Sequence, residues 1–166
     1  HRPNPRNPRD WNPTGFIWKA WEKGVRIGVI ASSDHSSTHL SHAFVYSSDS
    51  TRAGIVEAVR ARRTYGATDN ILLEFSIGGH FMGEEFSASR VPELRIRARG
   101  TAPITKVSII RNSRYITQQT PNSADVSFSF RDASPQPGTN YYYVRVEQAN
   151  GHLAWSSPIW VNLTGG

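Results

Sequence analysis

Residues 92–100 read PELRIRARG. Leu94, Ile96 and Ala98 alternate with Arg95, Arg97 and Arg99, the two-residue period of a strand with one buried face and one wet one. ITKVSII (104–110) continues the apolar signal. It leads into a turn, Arg111-Asn112-Ser113-Arg114, and a return strand near Tyr115-Ile116. DVSFSF (125–130) puts Val126, Phe128 and Phe130 on one side, and SPQPGTN (134–140) is a loop. YYYVRVEQ (141–148), Ala149-Asn150-Gly151-His152 and LAWSSPIWVNL (153–163) read as a hairpin, because Asn-Gly accepts positive φ. Pro158 lacks the amide hydrogen of a ladder, so it marks a break or an edge. On the amino side, ILLEFSI (71–77), Gly78-Gly79 and HFMGEEF form another hairpin. About seven short strands at a spacing of ~8–12 residues predict an antiparallel sandwich of immunoglobulin or fibronectin type over 70–166.

Residues 1–69 read differently. The first fourteen, HRPNPRNPRDWNPT, contain three Asn-Pro pairs and form an extended or turn-rich segment. GFIWKAWEK (15–23) fits a short helix with Gly24 just past its end. VRIGVI (25–30) is a continuous apolar run after Arg26, typical of a parallel strand buried on both faces. The polar loop ASSDHSSTH (31–39) follows, then AFVY (43–46), a second short strand. Ser48, Asp49 and Ser50 cap a helix of about 51–64. Its expected inner face is Ile55, Val56, Ala58 and Val59. One strand–loop–helix unit is too little to stand alone, since an α/β barrel takes about 200 residues or more. The first part is therefore expected to dock onto the sandwich, another copy of the chain, or a missing N-terminal portion, the last being preferred. The fold class expected is α+β: an incomplete α/β unit (1–69) followed by a β-sandwich (70–166).

The chain of 166 residues carries 19 Lys and Arg against 13 Asp and Glu, a formal charge of +6. The arginines are spread along the chain, a generally basic surface and not a nucleic-acid patch. There is no cysteine, which excludes disulfides and thiolate zinc sites. No apolar run approaches ~18 residues, so no membrane span is expected. The sequence starts at His1 without a signal-peptide pattern, and it reads as a portion of a longer gene product.

GVIASSDHSSTHLSHAFVY, followed by TRAGIVEAVRARRTYGATDNILLEFSIGGHFMGEEF, resembles the C-terminal part of metallohydrolases of the polymerase-and-histidinol-phosphatase (PHP) superfamily. The nearest group is the one with carbamate and amide hydrolases and a β-sandwich after the barrel, to which YYYVRVEQANGHLAWSSPIWVNL is similar. The resemblance covers most of residues 15–162. It implies a distorted (β/α)₇ barrel holding two or three divalent ions, zinc, manganese or iron, with metal-bound water attacking an ester, amide or phosphoester. It implies Asp34 and His35 as ligands. The commoner Asp-x-His spacing would put the histidine at Ser36, which keeps His39 in view. It also favours a periplasmic or extracellular location.

From the residues alone, Asp34, His35, His39 and His42 have the donor types of a metal site, at the end of a strand where such sites form. The competing reading is a polar loop whose side chains bond backbone amides. Two or three ligands on one loop bind weakly, so the chain by itself is expected to hold no metal stably and to hydrolyse nothing. Arg62 and Arg63, beside Arg60, could bind a phosphate or simply favour a helix C-terminus. Tyr141, Tyr143, Trp155 and Trp160 are either sandwich core or a sugar platform. Two further functions stay open: a processed module self-assembling through an exposed strand edge, and a carbohydrate-binding sandwich.

Overall fold

A computed structural model describes residues 16–33 and 41–164. The elements in chain order are α1 (Ile17–Glu22), β1 (His42–Val45), α2 (Arg52–Arg60), β2 (Thr64–Ala67), β3 (Leu72–Ile77), β4 (His80–Phe81), β5 (Glu85–Ala88), β6 (Leu94–Arg111), β7 (Arg114–Gln119), β8 (Ser123–Phe130), β9 (Gly138–Gln148), β10 (Leu153–Ser156) and β11 (Ile159–Leu163).

The strands build a two-layered, mostly antiparallel sandwich. One layer has the first half of β6 at its centre, flanked by β3 and β8, with β4 beyond β3. The other joins β7, the second half of β6, and β9. From β9 it runs to β10, β2 and β1 on one path and to β11 and β5 on another. The alternation foreseen at 94–99 is seen directly: Leu94, Ile96 and Ala98 are buried while Arg95, Arg97 and Arg99 are exposed. Their apolar face meets Val107, Ile109, Tyr142, Val144, Val146 and Ile159 of the facing layer. Each such side chain, fully buried, contributes about 1.5–3 kcal/mol.

β6 belongs to both layers, and its bend has an identifiable cause. The side-chain oxygen of Gln148 accepts from the amides of Thr101 (2.8 Å) and Ala102 (3.3 Å), replacing ladder partners where the register shifts. Gly100 leaves the room this amide occupies. The turn after β6 has Asn112 at φ 48° and Ser113 at φ 64°, the geometry a tight hairpin needs. Pro158 falls between β10 and β11, as its missing amide requires.

Three expectations for the first part meet a different structure. The sheet runs through the 69/70 division, because β1 pairs antiparallel with β2 and β2 with β10, giving His42↔Ala67 and Gly66↔Trp155. VRIGVI is not a strand: it crosses the outer face of the second layer, with Val25, Ile27 and Ile30 exposed. Helix α2 is capped by Thr51, whose hydroxyl accepts from the Gly54 amide at 3.1 Å. Ala58 is its buried side chain, and Ile55, Val56 and Val59 face outward. The parallel pair recorded, β5 with β11, lies in the sandwich and not in a barrel-like unit.

Candidate functional site

The outer face of the second layer carries the chain's candidate site. Trp160 sits between Ile159 and Val161 on β11. Those two face the core, so Trp160 points the other way. Tyr141 and Tyr143 do the same on β9. Helix α1 settles on these rings: Trp21 lies 5.7 Å from Tyr141 and 5.0 Å from Tyr143, centre to centre, in tilted contact. Gly24, at φ 80°, ends the helix and turns the chain back over the sheet.

Residues 25–31 then form a strap. Ile27 presents its carbonyl to the Trp21 indole N–H (3.0 Å), and the Val29 amide donates to Ser157 Oγ (2.8 Å). Ser157 Oγ also lies 3.2 Å from Thr64 Oγ1, so one hydroxyl joins strap, β2 and the link between β10 and β11. The strap comes this near because residues 28 and 66 have no side chains. A Cβ on Gly66 would lie 2.7 Å from that of Ala31, and one on Gly28 would lie 2.8 Å from Ser157 Oγ.

Arg26 anchors the strap electrostatically. It donates from Nε and Nη2 to both carboxylate oxygens of Glu85, each at 2.9 Å. Its guanidinium also lies 5.2 Å from the Trp160 ring centre. This pair, with a further hydrogen bond from Asn162, holds the Glu85 carboxyl down at about 2. Burial pushes the Tyr141 phenol up, and its oxygen lies 2.9 Å from Ser113 Oγ. Between α1 and the β6–β7 turn lies an open cleft of about 320 Å³, lined by Trp21, Glu22, Arg26, Asn112, Gln136 and Thr139 among others.

The predicted site residues fall as follows. Asp34, His35 and His39 lie outside the described residues. The two ends of that stretch are close, since the Ser41 amide donates to Ser33 Oγ at 2.9 Å. His42 opens β1, half-buried, with its ring edge-on to Phe44. Arg62 takes φ 59°, donates from Nε to the Gly83 carbonyl at 2.8 Å, and lies 5.6 Å from Trp160. Its cation is thus used within the fold. Arg63 is half-buried and joins helix to sheet through its backbone, its amide on the Ala58 carbonyl and its own carbonyl taking the Tyr46 amide. Tyr141 and Trp160 are buried, while Tyr143 and Trp155 are half-buried.

Among the described residues no group of three or more His, Cys, Asp or Glu is placed to hold a metal ion. None of their helices is long and apolar enough to cross a membrane. The strap anchors Ser157, Thr64 and Glu85 had no sequence signal, because each meets the strap across a long stretch of chain.

No protein-family model matches the chain. Three uncharacterized chlamydial proteins are similar to it, from Chlamydia trachomatis, Chlamydia muridarum and Chlamydia pneumoniae. Each is 30% identical over 183 aligned positions, covering 92% of this chain and 30% of the relative. The chain thus spans about 30% of the length of the curated relatives it matches. Among solved structures, fibronectin(III)-like modules of Clostridium thermocellum CbhA align with 54% of this chain and 97% of theirs, at 19% identity and a TM-score of 0.36. An engineered protein aligns with 55% of this chain and 20% of its own, at 12% identity and a TM-score of 0.34.

Proposed function

We propose that the chain is the C-terminal portion of a metal-dependent hydrolase acting on an ester, amide or phosphoester. In that enzyme Asp34 and His35, with His39 as a further candidate, join ligands supplied from outside this chain. The observation that carries the reading is the strap. Residues 25–30 have the sequence of a strand buried on both faces, yet Val25, Ile27 and Ile30 are exposed and have no strand partner among the described residues. Such a segment calls for neighbours, and the acidic and histidine-rich loop starts at its end.

The described residues by themselves form no metal donor set. What they do is mechanical. Ser157 and Arg26 fix the strap to the sandwich, and the Ser41 amide donates to Ser33 Oγ.

The test compares the 166-residue chain with the whole polypeptide its gene encodes, by elemental analysis and by hydrolysis of p-nitrophenyl esters and phosphates. The whole polypeptide is expected to hold zinc, manganese or iron and to hydrolyse, with both lost in Asp34→Ala. Stoichiometric metal in the 166-residue chain, or none in the whole polypeptide, overturns the reading.

A second reading, a self-assembling module, draws on β1. It pairs only with β2 and leaves its outer edge open among the described residues. A sedimentation profile unchanged by concentration would remove it. The sugar-platform reading finds less support, since Trp160 and Tyr141 are covered by arginines and by Trp21.

A further inference from the structure

We propose that the cleft between α1 and the β6–β7 turn is a binding site for a neutral sugar of single-ring size. Its volume, about 320 Å³, lies at the small end of the range for small-molecule sites, about 300–1,000 Å³. Trp21 and Tyr141 line it and are 3% and 6% exposed, so their rings serve as apolar wall and not as open stacking faces. Pieces of chain far apart in sequence meet there and are tied together. Ser113 Oγ donates to Glu22 Oε1 at 3.0 Å, joining the β6–β7 turn to α1. The Asn112 carboxamide donates to Gln136 Oε1 and Asn140 Oδ1, each at 3.1 Å, and accepts from the Tyr141 amide at 3.0 Å. These bonds fix the loop before β9 against the same turn. Walls held this way lose little freedom when a ligand enters.

The charges in the cleft are already answered from within the protein. Glu22 Oε2 accepts from Lys19 at 2.7 Å, and Arg26 pairs with Glu85. A charged ligand would compete with those partners, whereas a neutral one gains charge-assisted hydrogen bonds without displacing them. Bonding capacity of both kinds is left over. Arg26 spends three N–H groups on the Gly24 carbonyl and Glu85, which leaves one on each terminal nitrogen. The Gln136 amide nitrogen has no partner among the described residues, while its oxygen takes the Asn112 bond. Thr139 donates to Asn162 Oδ1 at 2.7 Å, so its oxygen is left to accept, as are the remaining lone pairs of Glu22. Donors and acceptors lining one cleft suit vicinal hydroxyls, each of which does both. A hydrocarbon would leave these groups unpaired, and a simple ion would use only one kind. This inference needs neither a metal nor the hydrolase reading.

The test is an NMR titration of the 166-residue chain with glucose, galactose, mannose and N-acetylglucosamine in turn, and with glycine as a zwitterion. At least one sugar is expected to give saturable shifts at the side-chain amides of Asn112 and Gln136 and at the Trp21 indole, and glycine none. Gln136→Ala and Glu22→Gln should each weaken that binding about tenfold, while Ser127→Ala on β8 leaves it unchanged. The amide signals of β3 and β8 report in the same spectra that each variant keeps the sandwich. No saturable shift with any of the sugars overturns the proposal, as does saturation by glycine. Sugar-induced shifts that survive both substitutions unchanged, or that centre on Trp155 with the cleft signals still, overturn it as well.

Discussion

The side-chain amide of Gln148 fills the space that a side chain on Gly100 would need, and this pair sets where β6 passes from one layer to the other. Gly100→Ala is expected to cost about 1–3 kcal/mol, since the new methyl meets both Gln148 and the Ala102 carbonyl. Gln148→Ala leaves the Thr101 and Ala102 amides unpaired in a part-buried place, about 1–3 kcal/mol. The double variant should lose less than the sum, because the small side chain at 148 makes room for the one at 100. Urea unfolding of the four proteins measures the coupling. Strict additivity would mean that the two residues do not share this space.

Arg26 and Glu85 give an acid dependence with a definite sign. Glu85 titrates at about 2 when folded against an ordinary 4.5, so its contribution is fully present above about pH 4.5. It is lost as the pH falls from there to about 2. Glu85→Gln should lower stability at neutral pH by about 1 kcal/mol and flatten the fall in stability over that window. An unchanged slope in the variant would assign the acid sensitivity to other carboxylates.

Asp132 is a nearly buried carboxylate with three partners, its Oδ1 accepting from the Ser134 amide at 3.1 Å. Its Oδ2 lies 2.5 Å from Arg111 Nη1 and accepts from the Tyr142 hydroxyl at 2.8 Å. Asp132→Ala would leave the mostly buried Arg111 cation without its counter-charge, a loss of about 3–5 kcal/mol. Thermal unfolding checks this, and a loss under 1 kcal/mol would show that the Ser134 carbonyl is partner enough for Arg111.

Ser157→Ala removes the acceptor for the Val29 amide while sparing the ladder. The expected cost is about 1–2 kcal/mol, shared between the strap and the buried Thr64 hydroxyl, which loses the same partner. Amide exchange should quicken at Val29 and stay unchanged across β6 and β9. Equal quickening in the sandwich would make the strap an integral part of the cooperative unit.

What the sequence disclosed follows from where each element finds its partners. At 92–100 the alternation of Leu94, Ile96 and Ala98 with arginines reports a face-to-face burial that any sheet pairing would satisfy, so strand and orientation were both readable. Asn112-Ser113 and Gly151 announced their turns because positive φ is a local demand. The union of 94–100 with 104–111 in one strand was hidden, because the Gln148 amide that bridges the bend comes from a residue far along the chain. VRIGVI misled for a related reason. Its apolar run is the signature of a doubly covered strand, while Gly28 and Gly66 let it lie flat on a sheet face instead. Helix α2 was found, but the side it buries was not: Ala58 packs inward and the larger Ile55, Val56 and Val59 do not. Asp34, His35 and His39 show their donor chemistry in the sequence, and they lie outside the described residues.

The pairing of β2 with β10 bears on how the chain is made. A ribosome releases the amino end first, so β1, α2 and β2 emerge long before Leu153–Ser156 exists to receive them. Ser157, which seats the strap, comes later still. A message interrupted before the codon for Leu153 would therefore leave β2, and β1 and α2 with it, without the strand that β2 pairs against. Those segments would have nowhere to settle, and clearance by proteases is the expected fate of such a product.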